Sequence, residues 1–527
     1  MRGWLARLRW PLLLGSLTAV LGYAYLLVSR TQRTEADGAS IAVQAWDMLH
    51  GNLILHGWIL ADVTFYSTEL PEYLLVEAGR GLSADVLHVA AALTYALLVV
   101  LAALLAKGRA TGREAVVRML IAGGILLAPE PGPGVFILVN QPDHVGTQVP
   151  VLATLLLLDR APRRWFTPVA IGILLSWIGL ADQIVWLTVA VPLTAIGGLR
   201  LLAGRVRSGT GSWYDLALAA AALISIPVSA GAPKIIAALG GYRMQPLGTS
   251  LVPFAAMPHH LWLGADGVLG MYGAYASVWP FGLNYLFAVL HLAGLGLAIC
   301  GLWLVIRRFR GCDDLIAQVL AVGIVVNTIV FLLSARPTTY WGAREIAWLL
   351  PAGAVLAGRL VTPRLLAGGR VARLVPVLAV VLAGYVAALG YAASLPAKPG
   401  VSQDLAVWLR AHHTGLGLTR YGLSAYQEGN ATTMAGGDTV GLRPVVAAHG
   451  RLAPGPREYN LAWYDPAHAA VNFVVFGHDK VGEYAAITSA QARATFGPST
   501  HVYRFQRYVI MVWDKNLLAD LGAPVQH

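Results

Sequence analysis

Residues 34–49 read TEADGASIAVQAWDML and place two carboxylates, Glu35 and Asp37, directly after the first apolar run of the chain. Apolar residues follow at positions 41, 45, 48 and 49, a spacing that predicts one face of a helix. Asp37 directly precedes this face. We therefore expect a helix that begins at the acid and lies along a membrane surface, where it holds the carboxylate at the depth of the lipid headgroups.

The composition predicts that most of the chain lies in a membrane. Of its 527 residues, 57% are hydrophobic and only 12% are charged, whereas a soluble domain carries about 25% charged residues. The formal net charge of +11 reflects arginines in short loops between apolar runs. Such loops orient membrane spans, so the charge does not indicate a nucleic-acid partner. Cys300 lies in an apolar run and Cys312 in a basic loop, and a structural disulfide between them is not expected.

About eleven apolar runs approach the ~20 residues that a spanning helix needs. Their centres are near residues 20, 96, 126, 153, 173, 192, 222, 295, 324, 354 and 384. The first run is interpreted as a retained span rather than a cleaved signal. The run at 118–136 ends in three prolines, and Asp182 is interpreted as part of a tight turn between two spans.

The arginines alternate between successive loops and so predict an orientation. Basic residues cluster around 107–118, 160–164, 200–207, 307–310 and 359–373, whereas the loops 31–85, 130–146, 232–284 and 335–345 are acidic or mixed. Basic loops stay in the cytoplasm, which places the N-terminus inside. An odd number of spans then places the C-terminus outside, in a multi-pass protein of the cell membrane.

The chain changes character at about residue 397. Residues 1–396 form the predicted transmembrane domain, with surface helices in the first outer loop, 31–85, the second of them beginning near Pro71. Residues 397–527 are mixed and polar, with β-rich runs at 471–476 and 507–513 and an amphipathic helix at 404–412. The predicted fold class is therefore a polytopic α-helical membrane protein with a C-terminal extracytoplasmic α/β domain.

Further charged residues fall in the other predicted outer loops. Asp143 and His144 lie at the mouth of a span in the second loop. Arg336 and Arg344 flank aromatic residues in the loop 335–345, and Arg243 lies in the loop 232–284. Because a guanidinium can chelate phosphate oxygens with two parallel hydrogen bonds, these arginines are candidates for an anion site.

This layout resembles the GT-C superfamily of integral membrane glycosyltransferases, which includes protein O-mannosyltransferases and transferases that use polyprenyl-phosphate sugars. The resemblance covers the whole chain in layout, but in motif it covers only residues 34–50. An acidic motif follows the first span in that family, and here it stands as Glu35-Ala36-Asp37. The resemblance implies that Asp37 or Glu35 is the catalytic base and that Asp143 is a second acid. It also implies that Arg344 holds the donor phosphate.

The predicted function is an inverting transfer of a sugar from a polyprenyl-phosphate-linked donor to an extracytoplasmic glycan, lipid or protein acceptor. A carboxylate would take the proton of the acceptor hydroxyl. Arginines or a divalent cation, Mg²⁺ or Mn²⁺, would stabilise the leaving phosphate, with Asp37 and Asp143 as possible metal ligands.

Other interpretations of the same residues stay open at this stage. Asp37 can be a helix N-cap, Asp143 and His144 can simply end a span, and Arg336 and Arg344 can pair with Glu345 or with lipid phosphates. A transporter or lipid flippase would place charges near the bilayer midplane, whereas these charges cluster at the outer mouths. A non-catalytic membrane scaffold would make Asp37 dispensable.

Overall fold

The computed structural model describes residues 2–208, 212–245, 248–367, 371–477 and 487–525. The predicted C-terminal unit thus includes residues 478–486 and 526–527, which lie outside the described part. The helices of the first 394 residues are α1 Arg2–Ser29, α2 Ala36–Leu49, α3 Glu69–Arg80, α4 Asp85–Lys107, α5 Gly112–Leu127, α6 Pro133–Leu138, α7 Val145–Arg160, α8 Phe166–Ala181, α9 Val191–Ser208, α10 Trp213–Ala238, α11 Met257–Met271, α12 Leu283–Arg307, α13 Leu315–Leu333, α14 Leu349–Leu356, α15 Thr362–Ala367 and α16 Val371–Ser394.

Eight helical segments in the described residues are long and apolar enough to cross a membrane. They are Leu12–Ser29, Asp85–Lys107, Trp186–Ala203, Trp213–Ala238, Leu283–Arg307, Leu315–Leu333, Leu349–Ala367 and Pro376–Ser394. Two of them contain a π-helical turn, Trp186–Ala190 before α9 and Ala357–Val361 between α14 and α15. Each of the eight segments coincides with a predicted span, which confirms a largely helical protein with many apolar helices.

The three remaining predicted spans correspond to shorter helices, so the number eleven stays a prediction. α5, α7 and α8 have 16 residues each, fewer than the ~20 that a straight crossing needs. The prediction of one run at 118–136 was wrong, because α5 ends at Leu127 and the short α6 follows separately. Pro129 and Pro131 lack the backbone N–H that a continuing helix requires.

The predicted loops segregate to the two ends of the helical bundle. At one end, Arg359 forms ion pairs with Asp159 and Asp314 at 2.8 Å each. These ion pairs connect three of the predicted inner loops or their flanking turns. At the other end, the segments around Asp37, Asp143 and Arg344 meet. Alternate loops therefore lie together as predicted, and the identity of the cytoplasmic end stays a prediction from the arginine distribution.

The C-terminal part is an α/β unit. Its helices are α17 Gln403–His412, α18 Tyr426–Ala435 and α19 Ser489–Phe496, and its sheet strands are β3 Tyr421–Ser424, β4 Gly441–Ala448, β5 Arg451–Pro454, β7 Val471–Phe476, β8 His501–Phe505 and β9 Tyr508–Val512. The strand order is β5-β4-β3-β7-β9-β8, with β3 parallel to both β4 and β7. The sheet core is built from alternating apolar residues such as Leu423 and Val474. The predicted strands at 471–476 and 507–513 and the helix at 404–412 are confirmed.

A second, three-stranded sheet joins the C-terminal unit to the membrane part. β1 Trp58–Leu60 comes from the first outer loop, β2 Arg243–Met244 from the loop after α10, and β6 Tyr459–Asn460 from the C-terminal unit. Their order is β2-β1-β6. The two parts of the chain are therefore connected by backbone hydrogen bonds as well as by side chains.

α2 lies between the membrane part and the C-terminal unit. Ile41, Ala45 and Met48 are buried as predicted, but Leu49 is 39% exposed. Ser40 and Gln44, on another face, are also buried, because α18 packs against α2. The predicted helix and its apolar face are confirmed, but α2 is also buried on its polar face, and its position along a membrane surface stays a prediction.

Candidate active site

Asp37 lies in the first turn of α2. The residue at the N-cap position is Glu35, which has extended backbone angles and makes no capping hydrogen bond with its side chain. The interpretation of Asp37 as the N-cap was therefore wrong, and its carboxylate is available for other contacts. The adjacent Gly38 donates its N–H to Gln141 Oε1 at 3.0 Å. A Cβ on Gly38 would lie 2.5 Å from that oxygen, so only glycine permits this close approach of the second outer loop.

Arg344 brings two carboxylates from distant segments together. Its Nη1 donates to Asp143 Oδ2 at 2.7 Å and to Asp37 Oδ2 at 3.3 Å. The three side chains come from three separate loops, each of which the sequence analysis placed on the same side of the membrane. The structure therefore brings together three of the predicted site residues, and their chemical roles stay predictions.

Exposure is graded across this cluster. The side chain of Asp143 is 5% exposed, that of Arg344 22% and that of Asp37 36%. Asp143 is also held by Gln141 Nε2 at 2.6 Å. Arg344 lies in a 3₁₀ turn, Tyr340–Ile346, with its guanidinium 4.4 Å above the ring centroid of Trp341. Asp143 and Arg344 thus form the fixed floor of the site, whereas Asp37 is the acid that an incoming molecule can reach.

A fourth side chain reaches Asp37 from the C-terminal unit. The hydroxyl of Tyr426, the first residue of α18, donates to Asp37 Oδ1 at 2.8 Å. Each oxygen of the Asp37 carboxylate therefore has a donor, Tyr426 on Oδ1 and Arg344 on Oδ2. Two donors from different elements fix the rotation of the carboxylate plane.

Glu458 fixes the position of the unit that carries Tyr426. Its Oε2 accepts hydrogen bonds from Ser40 Oγ at 2.7 Å and Gln44 Nε2 at 2.8 Å, and its Oε1 accepts one from the backbone N–H of Ala61. Both side-chain donors lie on α2, three and seven residues after Asp37. The C-terminal unit is therefore anchored on the helix that carries the acid.

The surroundings raise the pKa of two acids in the site, Glu35 and Asp143. Burial, followed by the charges of Asp37 and Asp143, raises the pKa of Glu35 to about 7. Burial also raises the pKa of Asp143, although the Arg344 guanidinium opposes this effect. Glu35 is consequently protonated over much of the range below neutral pH.

His144 faces away from Asp143 toward another acid. Its Nδ1 lies 2.7 Å from Asp182 Oδ2, and both side chains are buried. Burial alone would lower the pKa of His144, but Asp182 raises it above its ordinary value. Asp182 is therefore a charged partner as well as a turn residue, and the pair fixes the segment between Asp143 and α7.

The remaining predicted arginines lie apart from the Arg344 cluster. Arg336 forms an ion pair with Asp62, and Arg243 is exposed on β2. The suggested pairing of Arg336 or Arg344 with Glu345 was wrong, because their carboxylate partners are Asp62 for Arg336 and Asp37 and Asp143 for Arg344. Within the part of the chain that the structure describes, no three His, Cys, Asp or Glu side chains are arranged to hold a metal ion.

Sequence reasoning missed Tyr426, Gln141 and Trp341 as members of the site. Gln141 and Trp341 are two or three residues from predicted members, Asp143 and Arg344, so proximity was a usable signal for them. Tyr426 is 389 positions from Asp37, and nothing in its own neighbourhood marks it.

Comparison with known proteins gives little further guidance. No family model matches the chain, and no curated protein matches it. One solved structure with a similar arrangement is the Archaeoglobus fulgidus oligosaccharyltransferase, tethered to an acceptor peptide containing the NVT sequon. The likeness covers 88% of this chain and 68% of that one, with 14% identity and a TM-score of 0.47. It assigns neither a reaction nor a residue role to this chain.

Proposed function

We propose that this protein is a GT-C-type membrane glycosyltransferase that moves a sugar from a polyprenyl-phosphate-linked donor to an acceptor outside the cytoplasm. The observation that carries the proposal is the contact of Arg344 with both Asp37 and Asp143. The reaction needs two groups next to the apolar helices, and both are present. The arginine can stabilise a phosphate, and the partly exposed acid can accept a proton.

Asp37 is the proposed general base. Its carboxylate is 36% exposed and oriented by two donors, so an acceptor hydroxyl can approach it. In the reaction, the acceptor oxygen forms a bond to the anomeric carbon as its proton passes to Asp37. The bond between that carbon and the phosphate oxygen breaks, and the lipid phosphate leaves with the electron pair. A single displacement of this kind inverts the anomeric centre.

Arg344 is the proposed phosphate ligand. A guanidinium has five N–H donors, and the two carboxylates use only Nη1. Its Nε and Nη2 make no hydrogen bond to any described residue, so they can form the two parallel bonds that a phosphate accepts. Trp341 and Asp143 hold the guanidinium in place. Arg336 and Arg243 remain candidates for the same anion only if the donor extends beyond this cluster.

A divalent cation stays a proposal. Asp143 Oδ1 is buried and has no hydrogen-bond partner among the described residues, and carboxylate oxygens are the ligands that Mg²⁺ and Mn²⁺ prefer. Asp37 and Asp143 would hold such an ion, and the ion would add positive charge near the leaving phosphate. Arg344 supplies one positive charge at the same position, and the proton transfer to Asp37 is proposed with or without the ion.

The rival function is a lipid flippase, and a single assay separates the two. The purified protein is reconstituted into liposomes with a polyprenyl-phosphate sugar labelled in the sugar, and with mixed glycan, lipid and peptide acceptors. A transferase releases unglycosylated polyprenyl phosphate and labels an acceptor. The proposal would be contradicted if intact donor moved between leaflets and the sugar–phosphate bond was not cleaved in any donor tested.

A further inference from the structure

A separate cavity of about 470 Å³ lies between the far end of α2 and the C-terminal unit. Its walls include Trp46 and Asp47 of α2, Trp58 of β1, and Arg443 and Trp463 of the C-terminal unit. Asp47 is ten residues from Asp37 on the same helix, which corresponds to about 15 Å at 1.5 Å per residue. The cavity is therefore outside the candidate active site but lies on the same helix.

Arg443 is an unusual residue in this wall. Its side chain is buried, with only 7% of the residue exposed. The guanidinium carbon lies 3.9 Å from the ring centroid of Tyr421 and 3.9 Å from that of Trp463. Within the described residues, this guanidinium forms neither a hydrogen bond nor an ion pair, although burying an unpaired charge is costly.

The neighbouring charges do not neutralise Arg443. The nearest acid, Asp438, accepts a hydrogen bond from the Tyr421 hydroxyl at 2.6 Å and pairs with Arg420 at 3.3 Å. Burial lowers the pKa of Arg443, as expected for a guanidinium without a close carboxylate. The wall therefore carries one positive charge that lacks a counterion, directed at a cavity.

The two rings also restrict the approach of the missing partner. Both ring centroids lie 3.9 Å from the guanidinium carbon, so an anion must come to the N–H donors at the edge of the guanidinium. A planar carboxylate that approaches along this edge can make two parallel hydrogen bonds. The geometry thus favours a flat anion coplanar with the guanidinium.

The remaining walls suit a sugar ring. Trp46 and Trp463 are half-buried in this wall, and Trp463 packs edge to face on the buried Trp58 with centroids 5.0 Å apart. Asp47 is held by Trp58 Nε1 and Asn52 Nδ2, both at 2.7 Å. Flat apolar surfaces combined with a few fixed polar groups are typical of sites that orient a small polar ligand.

We propose that this cavity binds a carboxylated sugar unit, a hexuronic acid, of an acceptor glycan. Its carboxylate pairs with Arg443 and its ring lies against the indoles. The inference rests on the proposed function, because only that function makes the ligand an acceptor. It narrows the acceptor class to acidic glycans. The distance of about 15 Å along α2 makes this a remote unit of the glycan, whereas the reacting hydroxyl lies at Asp37.

The test measures binding and requires no turnover. The probes are a glucuronic-acid-containing oligosaccharide and the same oligosaccharide with its carboxyl reduced to an alcohol, titrated by calorimetry into the detergent-solubilised full-length protein. We expect the acidic probe to bind roughly tenfold to a hundredfold more tightly, as for a charge-assisted bidentate pair. In Arg443→Gln this preference should disappear, whereas the matched variant Arg493→Gln, at an exposed position on α19, should keep it.

Additional variants keep the test decisive. If Arg443→Gln does not fold, Trp46→Ala removes a wall without touching the guanidinium stack, and both probes should then bind more weakly. Asp37→Asn should keep the preference for the acidic probe over the reduced one, even if transfer is lost, which separates this inference from the proposed function. Equal binding of the two probes to the parent would overturn the inference, as would displacement of the acidic probe by inorganic phosphate at a lower concentration than by glucuronate.

Discussion

The hydroxyl of Tyr426 donates a hydrogen bond to Asp37 Oδ1 at 2.8 Å and so connects the C-terminal unit to the acid at the start of α2. This contact places one side chain of the C-terminal unit on the candidate base itself. The unit therefore contributes to the orientation of Asp37.

Tyr426→Phe removes this hydrogen bond and keeps the ring. We expect sugar transfer to fall by about tenfold, the effect of losing ~1.4 kcal/mol of a hydrogen bond to a charged group. Donor binding should not change, because the proposed phosphate ligand is Arg344, which this substitution leaves in place. Initial rates with a labelled donor would measure the effect. Tyr503→Phe, on the edge strand β8, is the control, and equal rates for the two variants would contradict the role of Tyr426.

Arg344→Lys keeps the positive charge but loses the planar fork. We expect donor affinity to fall by about tenfold, because a lysine cannot make two parallel bonds to one phosphate. The affinity is measured by binding of labelled polyprenyl-phosphate sugar to the purified variant, with Arg410→Lys, at an exposed position on α17, as the control.

Arg344→Ala requires a compensating change, since it leaves Asp143 buried without its ion-pair partner. Arg344→Ala combined with Asp143→Asn removes both charges together. Parental donor affinity in this double variant would rule out Arg344 as the phosphate ligand.

The raised pKa of Glu35 predicts a stability that depends on pH. The folded-state pKa is about 7 and the ordinary value is 4.5, with burial as the main cause. The folded state therefore binds a proton more tightly than the unfolded state. The stabilisation is fully present below about pH 4.5 and is lost as the pH rises through 7. Melting temperatures measured from pH 4.5 to 8 should show this decline in the parent and a smaller decline in Glu35→Gln. Parallel curves would show that Glu35 does not titrate in this range.

The orientation is tested by reporters fused to the full chain. The arginine distribution places the N-terminus in the cytoplasm, and the meeting of Asp37, Asp143 and Arg344 places their loops at the other side. A reporter that is active only in the cytoplasm should be silent after His527 and active in the loop around Arg308. The reverse pattern would place the candidate site in the cytoplasm, where a donor of another class would be available.

The sequence predicted the elements that depend on local pattern. Residues 34–49, 404–412 and 471–476 carry clear periodicity, and each forms the expected helix or strand. Asp143 and Arg344 were found because both lie in predicted outer loops, beside apolar runs. Their ion pair could not be derived, since it depends on how three loops converge.

What the sequence missed at α2 and at Asp182 has a common physical cause, which is contact between distant segments. The apolar pattern of α2 predicted a single buried face, but Ser40 and Gln44 are buried by contacts with Glu458, more than 400 residues later. Likewise, the turn at Asp182 was predicted but its ion pair was not, because the partner, His144, belongs to another loop. Periodicity describes one segment at a time and contains no information about which polar groups the fold will pair.

The measurement that tests the central claim most directly is sugar transfer by Asp37→Asn. The variant keeps the shape of the side chain and an oxygen that can accept the Tyr426 hydrogen bond, but it cannot take a proton. We expect it to accumulate in the membrane and bind donor like the control Asp404→Asn, an acid in the first turn of α17. Its transfer rate should be lower by roughly 10²–10⁴-fold, as for a lost general base, and Glu35→Gln should lose less. Transfer by Asp37→Asn at the parental rate would contradict the account.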